Sequence, residues 1–417
     1  MSNPKKLKIN NLVFLLCLIF TINGALKGQD LKLATEFHYI KNDKSSWFNN
    51  YNNFGLPNED LSSRITFQTS KESFFLNFDT LIINQKIFVL ESFIKIEAKL
   101  IDYKIGKYYR DYSNYLNDNL SSGHMLISNN AQPMPKFGVL KTIFLDKRKK
   151  YEFNFGLSHA VLDKNDYYLK NPFLHEKFIY LKIPMDKDSS FQIGFVHEAI
   201  WGGRTLIDGE STGSSLKDFL KVFISSDGPK IEGSKHANAL GNHLGIWDFV
   251  YINNNRINNY KIYYQHIFED TSGLRFHNGT DGLWGLEISN NTKNFNILFE
   301  LLTTTNQDLN SDYLREGYYN HSTYAKGWSY KNFIIGNPHI NNTEIIPLDV
   351  AHVGLEKEFR NKLKLQVLTS RRIDQGDSII YDFIFKKKVK DKFDIILGLS
   401  SAKVKDIISL GVNWQFN

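Results

Sequence analysis

The sequence predicts an all-β fold: a closed antiparallel up-and-down transmembrane β-barrel of about eighteen strands, with long loops that partly fill the lumen. Three observations predict it. Apolar and polar residues alternate in runs over most of the chain, turn-like clusters separate many runs, and Phe, Tyr and Trp make up 14% of the 417 residues. Such barrels alternate lipid-facing apolar residues with inward polar ones, which fits a mean hydropathy of −0.35.

Residues 1–28 differ from the rest of the chain. Lys5, Lys6 and Lys8 form a basic start, and small or polar residues follow an apolar run from 12 to 20. This pattern is typical of a cleaved secretory signal peptide. The nine apolar residues are too few to cross a hydrocarbon core, which needs about 20 helical residues. We therefore expect a signal peptide over 1–28 and a mature outer-membrane barrel over 29–417.

Cysteine content and charge exclude several classes of function. The only cysteine, Cys17, lies inside the apolar run, so disulfides and thiol chemistry are excluded from the mature chain. Residues 1–28 hold four lysines and no acid, so their removal lowers the net charge from +7 to +3. No dense Lys/Arg patch remains beyond 386–390, and we expect no nucleic-acid partner.

Alternation with a period of two residues places the individual strands. The clearest run is the last, in which Ile408, Leu410, Val412, Trp414 and Phe416 share one face. A final amphipathic strand with a near-terminal aromatic residue fits a barrel that closes against its first strand. The predicted strands lie near 62–70, 73–83, 86–98, 101–109, 136–145, 150–160, 177–184, 190–200, 217–226, 244–252, 259–268, 281–289, 293–302, 350–359, 362–372, 378–387, 392–401 and 406–416.

Four long segments lack this alternation: 110–135, 201–216, 227–243 and 303–349. Loops of such length are commonly functional or disordered, and the aromatic density of 303–349 argues against disorder. Barrel chains begin and end on the periplasmic side, and five predicted strands follow residue 349. An odd number of strands places 303–349 at the outer end, as an extracellular loop or one folded into the lumen.

Two blocks of residues resemble the Wzi-type capsule assembly family. The first is Ser121 to Lys136, and the second is Arg315 to His321 with Gly327 to Tyr330 and Gly336 to Pro338 beyond it. His175 and His197, the latter before Trp201, follow in the expected order. The resemblance spans nearly the whole mature chain. It implies an 18-stranded outer-membrane lectin that helps to attach or organise capsular polysaccharide, and a family not known for enzymes.

The resemblance also implies a helical bundle on the periplasmic side. In this sequence only 41–61 and 108–122 are candidates for such helices, and both are rich in Asn and Tyr. The sequence therefore departs from the family at this point.

The stretch 313–338 supplies the chemistry of a sugar site. Aromatic faces stack on sugar C–H surfaces, and amides, imidazoles and Arg hydrogen bond to hydroxyls. The alternatives are an interfacial girdle or a loop packed on itself. The candidate carbohydrate-binding residues are Arg315, Tyr318, Tyr319, Asn320, His321, Trp328, Tyr330 and Asn337.

A second candidate feature is a structural plug inside the lumen. Asn and Pro preset turns, and the amides can cap backbone groups. The candidate plug residues are Ser128, Asn129, Asn130, Pro133, Pro135 and His175.

The sequence offers little for catalysis. The histidines have no metal-ligand spacing, and Rossmann and P-loop glycine patterns are missing, so we expect no metal and no cofactor. Ser128 with His124, His175 or Asp111 could form an acyl-transfer set, but a G-x-S-x-G elbow is missing. We expect a non-enzymatic protein.

The expected partners are a surface polysaccharide, outer-membrane lipid and, during biogenesis, the barrel-assembly machinery. The alternative function is a general diffusion channel, since eighteen strands can enclose an aqueous lumen.

Overall fold

The structure, a computed structural model, is built almost entirely from antiparallel strands. It describes residues 30–40, 54, 56, 61–83, 86–148, 150–163, 167–205, 213–228, 239–269, 271–306, 317–374, 379–390, 393–400 and 407–416. The predicted signal peptide, with Cys17, lies outside these residues, as do most of 41–61 and Arg315.

The strands follow one another along the chain with two helical pieces between them. Their bounds are β1 Asp30–Ile40, β2 Leu61–Lys71, β3 Phe74–Ile83, β4 Lys86–Val89, β5 Ser92–Ile96, β6 Asp102–Tyr108, β7 Met134–Phe144, β8 Glu152–Val161, β9 Tyr168–Lys170, β10 Phe173–Pro184, β11 Ser189–Trp201, β12 Arg204–Thr205, helix α1 Leu216–Phe223, β13 Asn242–Asn254, β14 Asn258–Phe268, the single turn α2 Thr271–Leu274, β15 Gly282–Asn290, β16 Phe295–Thr303, β17 Ser329–Tyr330, β18 Phe333–Ile334, β19 Asp349–Glu358, β20 Leu363–Arg372, β21 Ile380–Lys390, β22 Phe393–Ser400 and β23 Ile407–Phe416.

Nineteen of these strands form one antiparallel sheet. Strands β4 and β5 both pair with β3, so they act as one strand that Leu90 and Glu91 interrupt. The short pairs β9–β12 and β17–β18 lie outside the sheet. Each strand of the sheet pairs with the next one along the chain, and β23 pairs with β1, with Leu33 opposite Phe416. The predicted all-β antiparallel sheet of about eighteen strands is confirmed.

One predicted strand is wrong, and one strand of the sheet was missed. The strand predicted at 217–226 is wrong, because this segment is helix α1. Phe219, Val222 and Phe223 fit helical spacing, and Ser215 with Asp218 forms a capping box that starts the helix. Strand β1 was missed, although Leu31, Leu33 and Phe37 alternate like the other runs, because it lies directly after the predicted cleavage site.

The segments without alternation also have different limits. Met134 and Pro135 already belong to β7, β11 extends to Trp201, and β13 begins at Asn242. The segment 303–349 holds the short hairpin β17–β18. Residues 108–122 form turns and contain no helix, so this candidate for a periplasmic helix is wrong.

The strand ends that the long connections join all lie at one end of the sheet, which we call the loop end. The connections are 41–60, 109–133, 162–172, 202–241, 269–281 and 304–348. Five strands follow 304–348, as the parity argument assumed. The opposite, turn end holds short connections such as 72–73, 185–188 and 255–257 together with the last residues of β23.

Alternation gives the sheet two different faces. In β8, Gly156, Ser158 and Ala160 are buried, whereas Val161 is exposed. We call the buried face inner and the other face outer. Large apolar residues stay exposed on the outer face, among them Ile105, Ile179, Ile262, Phe299, Leu301 and Leu397.

Within the described residues, no helix has the length and apolarity needed to cross a membrane.

Two inner tyrosines lie across glycines of the neighbouring strand. Tyr180 of β10 is opposite Gly194 of β11, and Tyr263 of β14 is opposite Gly285 of β15. A Cβ atom at Gly194 would meet the Tyr180 ring at 2.1 Å, and one at Gly285 would meet the Tyr263 ring at 2.0 Å. Each ring therefore covers its glycine, and it fits there only because glycine has no side chain.

Replacing Gly194 with Ala should destabilise the fold by about 1–3 kcal/mol, because the added methyl group overpacks the Tyr180 ring. Denaturant unfolding of the refolded protein measures the change. Ala351→Val, which adds carbon atoms at an exposed position, is the matched control and should shift stability by less than about 0.5 kcal/mol. Equal stability of Gly194→Ala and the wild type would contradict the packing.

Candidate functional site

Residues 109–133, which we call the inner segment, cross the inner face of the sheet. They contain neither helix nor strand, yet 120–128 are all buried. Buried backbone and hydroxyl groups outside regular structure need hydrogen-bond partners from elsewhere. Acidic side chains of the strands supply many of them.

The first acidic anchor is Asp248 of β13. It lies opposite Gly194, which in turn lies opposite Tyr180, so the three residues form one rung across β10, β11 and β13. The Tyr180 hydroxyl donates to Asp248 Oδ2 at 2.7 Å. From the inner segment, Ser113 Oγ donates to the same oxygen at 2.6 Å, and the Tyr115 hydroxyl donates to Oδ1.

The second acidic anchor repeats this arrangement. Tyr263, Gly285 and Glu300 form one rung across β14, β15 and β16. The Tyr263 hydroxyl and Ser121 Oγ, the latter at 2.6 Å, donate to Glu300 Oε1. The backbone N–H of Ser122 donates to Oε2 at 2.5 Å. In both rungs, glycine lets the tyrosine reach an acid two strands away, and that acid binds a serine of the inner segment.

Further contacts fix the inner segment between the two rungs and beside them. The Tyr112 hydroxyl donates to Glu198 of β11, and Asn117 Nδ2 donates to Glu287 of β15 at 3.0 Å. Gln265 of β14 accepts from the Met125 backbone N–H at 3.1 Å. Hydrogen bonds to charged acceptors are stronger than neutral ones, and leaving such groups unpaired in the interior is costly.

His124 has a structural role in this segment. Its Nδ1 accepts from the backbone N–H groups of Leu126 and Ile127, so Nε2 carries the proton and donates to Ser113 Oγ at 3.0 Å. Burial holds the pKa of this imidazole well below its ordinary value. Ser128 Oγ instead donates to the Gly336 carbonyl at 2.7 Å. The structure therefore shows no hydrogen bond between His124 and Ser128, the core of the imagined acyl-transfer set.

Residues 317–348, which we call the cap, cover the inner segment from the loop end. Trp328 is fully buried, and its Nε1 donates to the Leu126 carbonyl at 2.9 Å. The Tyr319 hydroxyl donates to the Met125 carbonyl and accepts from the Asn337 N–H at 2.8 Å. Asn337 Nδ2 in turn donates to the Gly123 carbonyl at 2.8 Å.

Tyr318 ties the cap to the connection between β14 and β15. The Tyr318 hydroxyl donates to Asp281 Oδ2 at 2.6 Å and accepts from Asn278 Nδ2 at 3.0 Å. Burial raises the pKa of Asp281 to about 6. The cap is thus hydrogen bonded both to the inner segment and to the connection that precedes β15.

The structure brings most predicted carbohydrate residues together within the cap. Tyr318, Tyr319, Trp328, Tyr330 and Asn337 are buried in this arrangement. Asn320 and His321 are partly exposed, and Asn320 Nδ2 donates to the Asn341 and Glu344 carbonyls. Sugar contact by these residues stays a prediction.

The predicted plug residues divide between two places. Ser128, Asn130 and Pro133 are buried and Asn129 is half-buried in the inner segment, where Asn130 Nδ2 donates to the Ile334 carbonyl at 3.0 Å. Pro135 is exposed in β7, on the face opposite Met134 and Lys136. His175 lies on the outer face of β10, beneath helix α1. Pro135 and His175 lie on the outer face and so cannot belong to a plug on the inner side. A plug role for the four residues of the inner segment stays a prediction.

Sequence reasoning missed the acidic anchors. The signal was present, because Glu198, Asp248, Glu287 and Glu300 each stand singly within apolar strand runs. An isolated acid in a mostly apolar strand implies a buried partner. Among the described residues, no group of three or more His, Cys, Asp or Glu side chains is arranged to hold a metal ion.

Comparisons with known proteins extend these observations. The family described as capsule assembly protein Wzi matches residues 40–401. A search of solved structures finds the Escherichia coli protein described as Wzi, an outer membrane protein involved in group 1 capsule assembly and a carbohydrate-binding β-barrel. It is 13% identical, with a TM-score of 0.60, covering 96% of this chain and 88% of its own.

A porin of Rhodopseudomonas blastica, a triple mutant, also matches, at 8% identity and a TM-score of 0.40 over 93% of this chain and 100% of its own. No curated protein sequence matches the chain.

Replacing Asp248 with Ala should lower the free energy of unfolding by about 3–5 kcal/mol, because the hydroxyls of Ser113, Tyr115 and Tyr180 lose their buried acceptor. It should also expose the bond after Arg110 to trypsin. Asp188→Ala, at an exposed turn, is the control and should change neither measurement. Unaltered trypsin resistance of Asp248→Ala would contradict the anchoring.

Replacing Trp328 with Ala should loosen the cap, because a buried indole and its bond to Leu126 are lost at a cost of about 3–5 kcal/mol. Hydrogen-exchange mass spectrometry should show faster exchange over 317–348 and unchanged exchange over β13 to β16. Ile345→Ala, at an exposed cap position, is the control and should leave exchange over 317–348 unchanged. Unchanged exchange over 317–348 in Trp328→Ala would contradict the role of Trp328 in holding the cap.

Proposed function

The chain belongs to the Wzi family of capsule assembly proteins, and on this premise we propose that it binds capsular or exopolysaccharide in the outer membrane and assists its attachment or assembly at the cell surface. The observation that carries this proposal is the family match over residues 40–401. The similarity in fold to a carbohydrate-binding barrel supports it.

We propose that the sheet is a closed transmembrane barrel of eighteen strands, counting β4 and β5 as one. The pairing of β23 with β1 supports closure. A bilayer also demands it, because an open sheet edge would leave backbone groups unsatisfied in hydrocarbon. Exposed apolar residues such as Ile105, Ile262 and Leu301 fit an outer face in contact with lipid.

The loop end is proposed to face the cell exterior. Barrels of this class carry short periplasmic turns and longer extracellular loops, and the long connections here share one end. We further propose export by the signal peptide predicted at 1–28 and insertion by the barrel-assembly machinery. The cap would then lie where surface polysaccharide arrives.

The alternative, a general diffusion channel, requires a free passage through the barrel. The inner segment is buried and hydrogen bonded to β11, β13, β14, β15 and β16, and the cap covers it. This arrangement favours a polysaccharide-binding surface over a channel. Nothing in the hydrogen-bonding of His124 and Ser128 favours catalysis, and we propose a non-enzymatic role.

We propose that the outward surface of the cap contacts the sugar chain. Asn320, His321 and Lys326 are partly exposed there, with the exposed hydroxyls of Ser322 and Thr323 beside them. The buried Tyr318, Tyr319 and Trp328 would act by holding this surface in place. A preformed polar surface loses little conformational entropy on binding.

Binding of the cell's own surface polysaccharide to the refolded protein, measured by calorimetry, tests this function. The double variant His321→Ala with Lys326→Ala should bind about tenfold more weakly, the loss of about two hydrogen bonds. Asn255→Ala, at an exposed position of the turn end, is the control. Equal binding by the wild type, the double variant and the control would contradict a sugar site on the cap.

A deletion strain separates the function from the position of the site. Loss of cell-attached polysaccharide is expected, with restoration by the wild-type chain. Normal surface polysaccharide in the deletion strain would overturn the proposed function.

A further inference from the structure

A cleft lies at the turn end of the sheet, at the opposite end from the cap. Its volume is about 410 Å³, which falls in the range of small-molecule sites, about 300–1,000 Å³. Two neighbouring turns form its walls, 291–294 between β15 and β16 and 359–362 between β19 and β20. The cleft is therefore separate from the residues that are proposed to bind polysaccharide.

Hydrogen bonds fix the two turns against each other. Strand β16 pairs with β19, and the Glu358 backbone N–H donates to the Asn294 carbonyl at 2.9 Å. The Lys357 ammonium donates to the Lys293 carbonyl, so this side chain joins β19 to the turn before β16. The cleft is therefore preformed, which lowers the entropic cost of binding a ligand.

The lining of the cleft is strongly basic. Its cations are Lys293, Lys357, Arg360 and Lys362, and its acid is Glu358. Within the described part of the chain, no ion pair involves Glu358, and none involves Lys293, Lys357 or Arg360. Like charges that are held around one cleft repel one another, and a bound anion would offset this repulsion.

Cations on the inner side of the same strands are neutralised. Lys364 of β20 forms an ion pair with Glu356 of β19 at 2.7 Å, and Lys386 of β21 forms one with Asp394 of β22 at 3.3 Å. Glu358 alone does not compensate the cations of the cleft in this way. The excess positive charge of the cleft is therefore open to an anion from outside the molecule.

We infer that this cleft binds a phosphate monoester group, carried either by a soluble ester or by the headgroup of a membrane lipid. Several converging cations suit an anion with more than one charge, and such a group carries about −1.5 to −2 at pH 7 with three strong acceptor oxygens. The Arg360 guanidinium supplies a fork of N–H donors that matches phosphate geometry, and the lysines add point charges. A carboxylate, with a single charge, would leave most of the positive charge uncompensated.

Isothermal titration calorimetry of the refolded full chain in neutral detergent with inorganic phosphate measures this binding. The wild type should bind one phosphate, and added sodium chloride should weaken the binding because salt screens the charges. The double variant Lys293→Gln with Arg360→Gln should bind about tenfold more weakly, because charge-assisted hydrogen bonds are lost. Lys147→Gln with Arg148→Gln removes the same charges from another exposed turn at the same end. It is the matched control and should bind like the wild type.

Glu358→Gln gives a result that poor folding cannot imitate. It removes a negative charge from the lining and keeps the size of the side chain, so phosphate should bind about threefold more tightly. Equal phosphate affinity of the wild type, the cleft variants and the control would overturn the site. Equal affinity of the wild type for acetate and phosphate would overturn the assignment to phosphate.

Vesicles distinguish the two sources of the phosphate group. The chain is inserted into phosphatidylcholine vesicles with and without phosphatidic acid, and mass spectrometry measures the lipid that stays bound in neutral detergent. Phosphate binding without enrichment of phosphatidic acid assigns the cleft to a soluble ester. Enrichment in the wild type and the control that is lost in Lys293→Gln with Arg360→Gln assigns it to a lipid headgroup. A wild type with neither phosphate binding nor enrichment would overturn the site.

Phosphate binding goes beyond the proposed function and is measured apart from it. Only the periplasmic source of the ligand rests on the orientation that is proposed there. The cap variant His321→Ala with Lys326→Ala should bind phosphate like the wild type. Failure of polysaccharide binding would leave the cleft standing, and failure of phosphate binding would leave the cap surface standing.

Discussion

Asp248 and Glu300 each join three parts of the molecule through hydrogen bonds to one carboxylate. Each accepts a tyrosine hydroxyl from two strands away and a serine hydroxyl from the inner segment. The intervening glycines, Gly194 and Gly285, leave room for the tyrosine rings. Because the acids are buried, a missing donor would leave a desolvated charge without compensation. The stability of the strands and the stability of the inner segment therefore depend on each other.

This dependence explains how a segment without helix or strand can be buried. Burying such a segment without hydrogen-bond partners would leave its backbone groups unsatisfied. Here the strands present acids on their inner faces, and the inner segment presents hydroxyls and backbone N–H groups to them. The cap then uses the same segment as its base, through the carbonyls of Met125 and Leu126. The strands thus hold the inner segment, and the inner segment in turn holds the cap, whose outward surface is proposed to bind polysaccharide.

The strands could be predicted from the sequence because each has one apolar and one polar or small face, and seventeen predicted runs coincide with strands or with the β4–β5 pair. Helix α1 could not be distinguished, since Phe219, Val222 and Phe223 occur in a short apolar run that either period accommodates. The sequence indicated the aromatic residues of the cap as candidates, but it did not indicate that they are buried. Burial of Tyr319 and Trp328 depends on carbonyls some two hundred positions away in the inner segment, which no local pattern encodes.

Single-channel recording in planar bilayers tests most directly whether the acidic rungs keep the interior of the proposed barrel filled. The wild type should show no steady open conductance. The double variant Asp248→Ala with Glu300→Ala should open, because the inner segment loses both serine anchors. Steady conductance of the wild type, or a double variant that inserts and stays closed, would contradict this account.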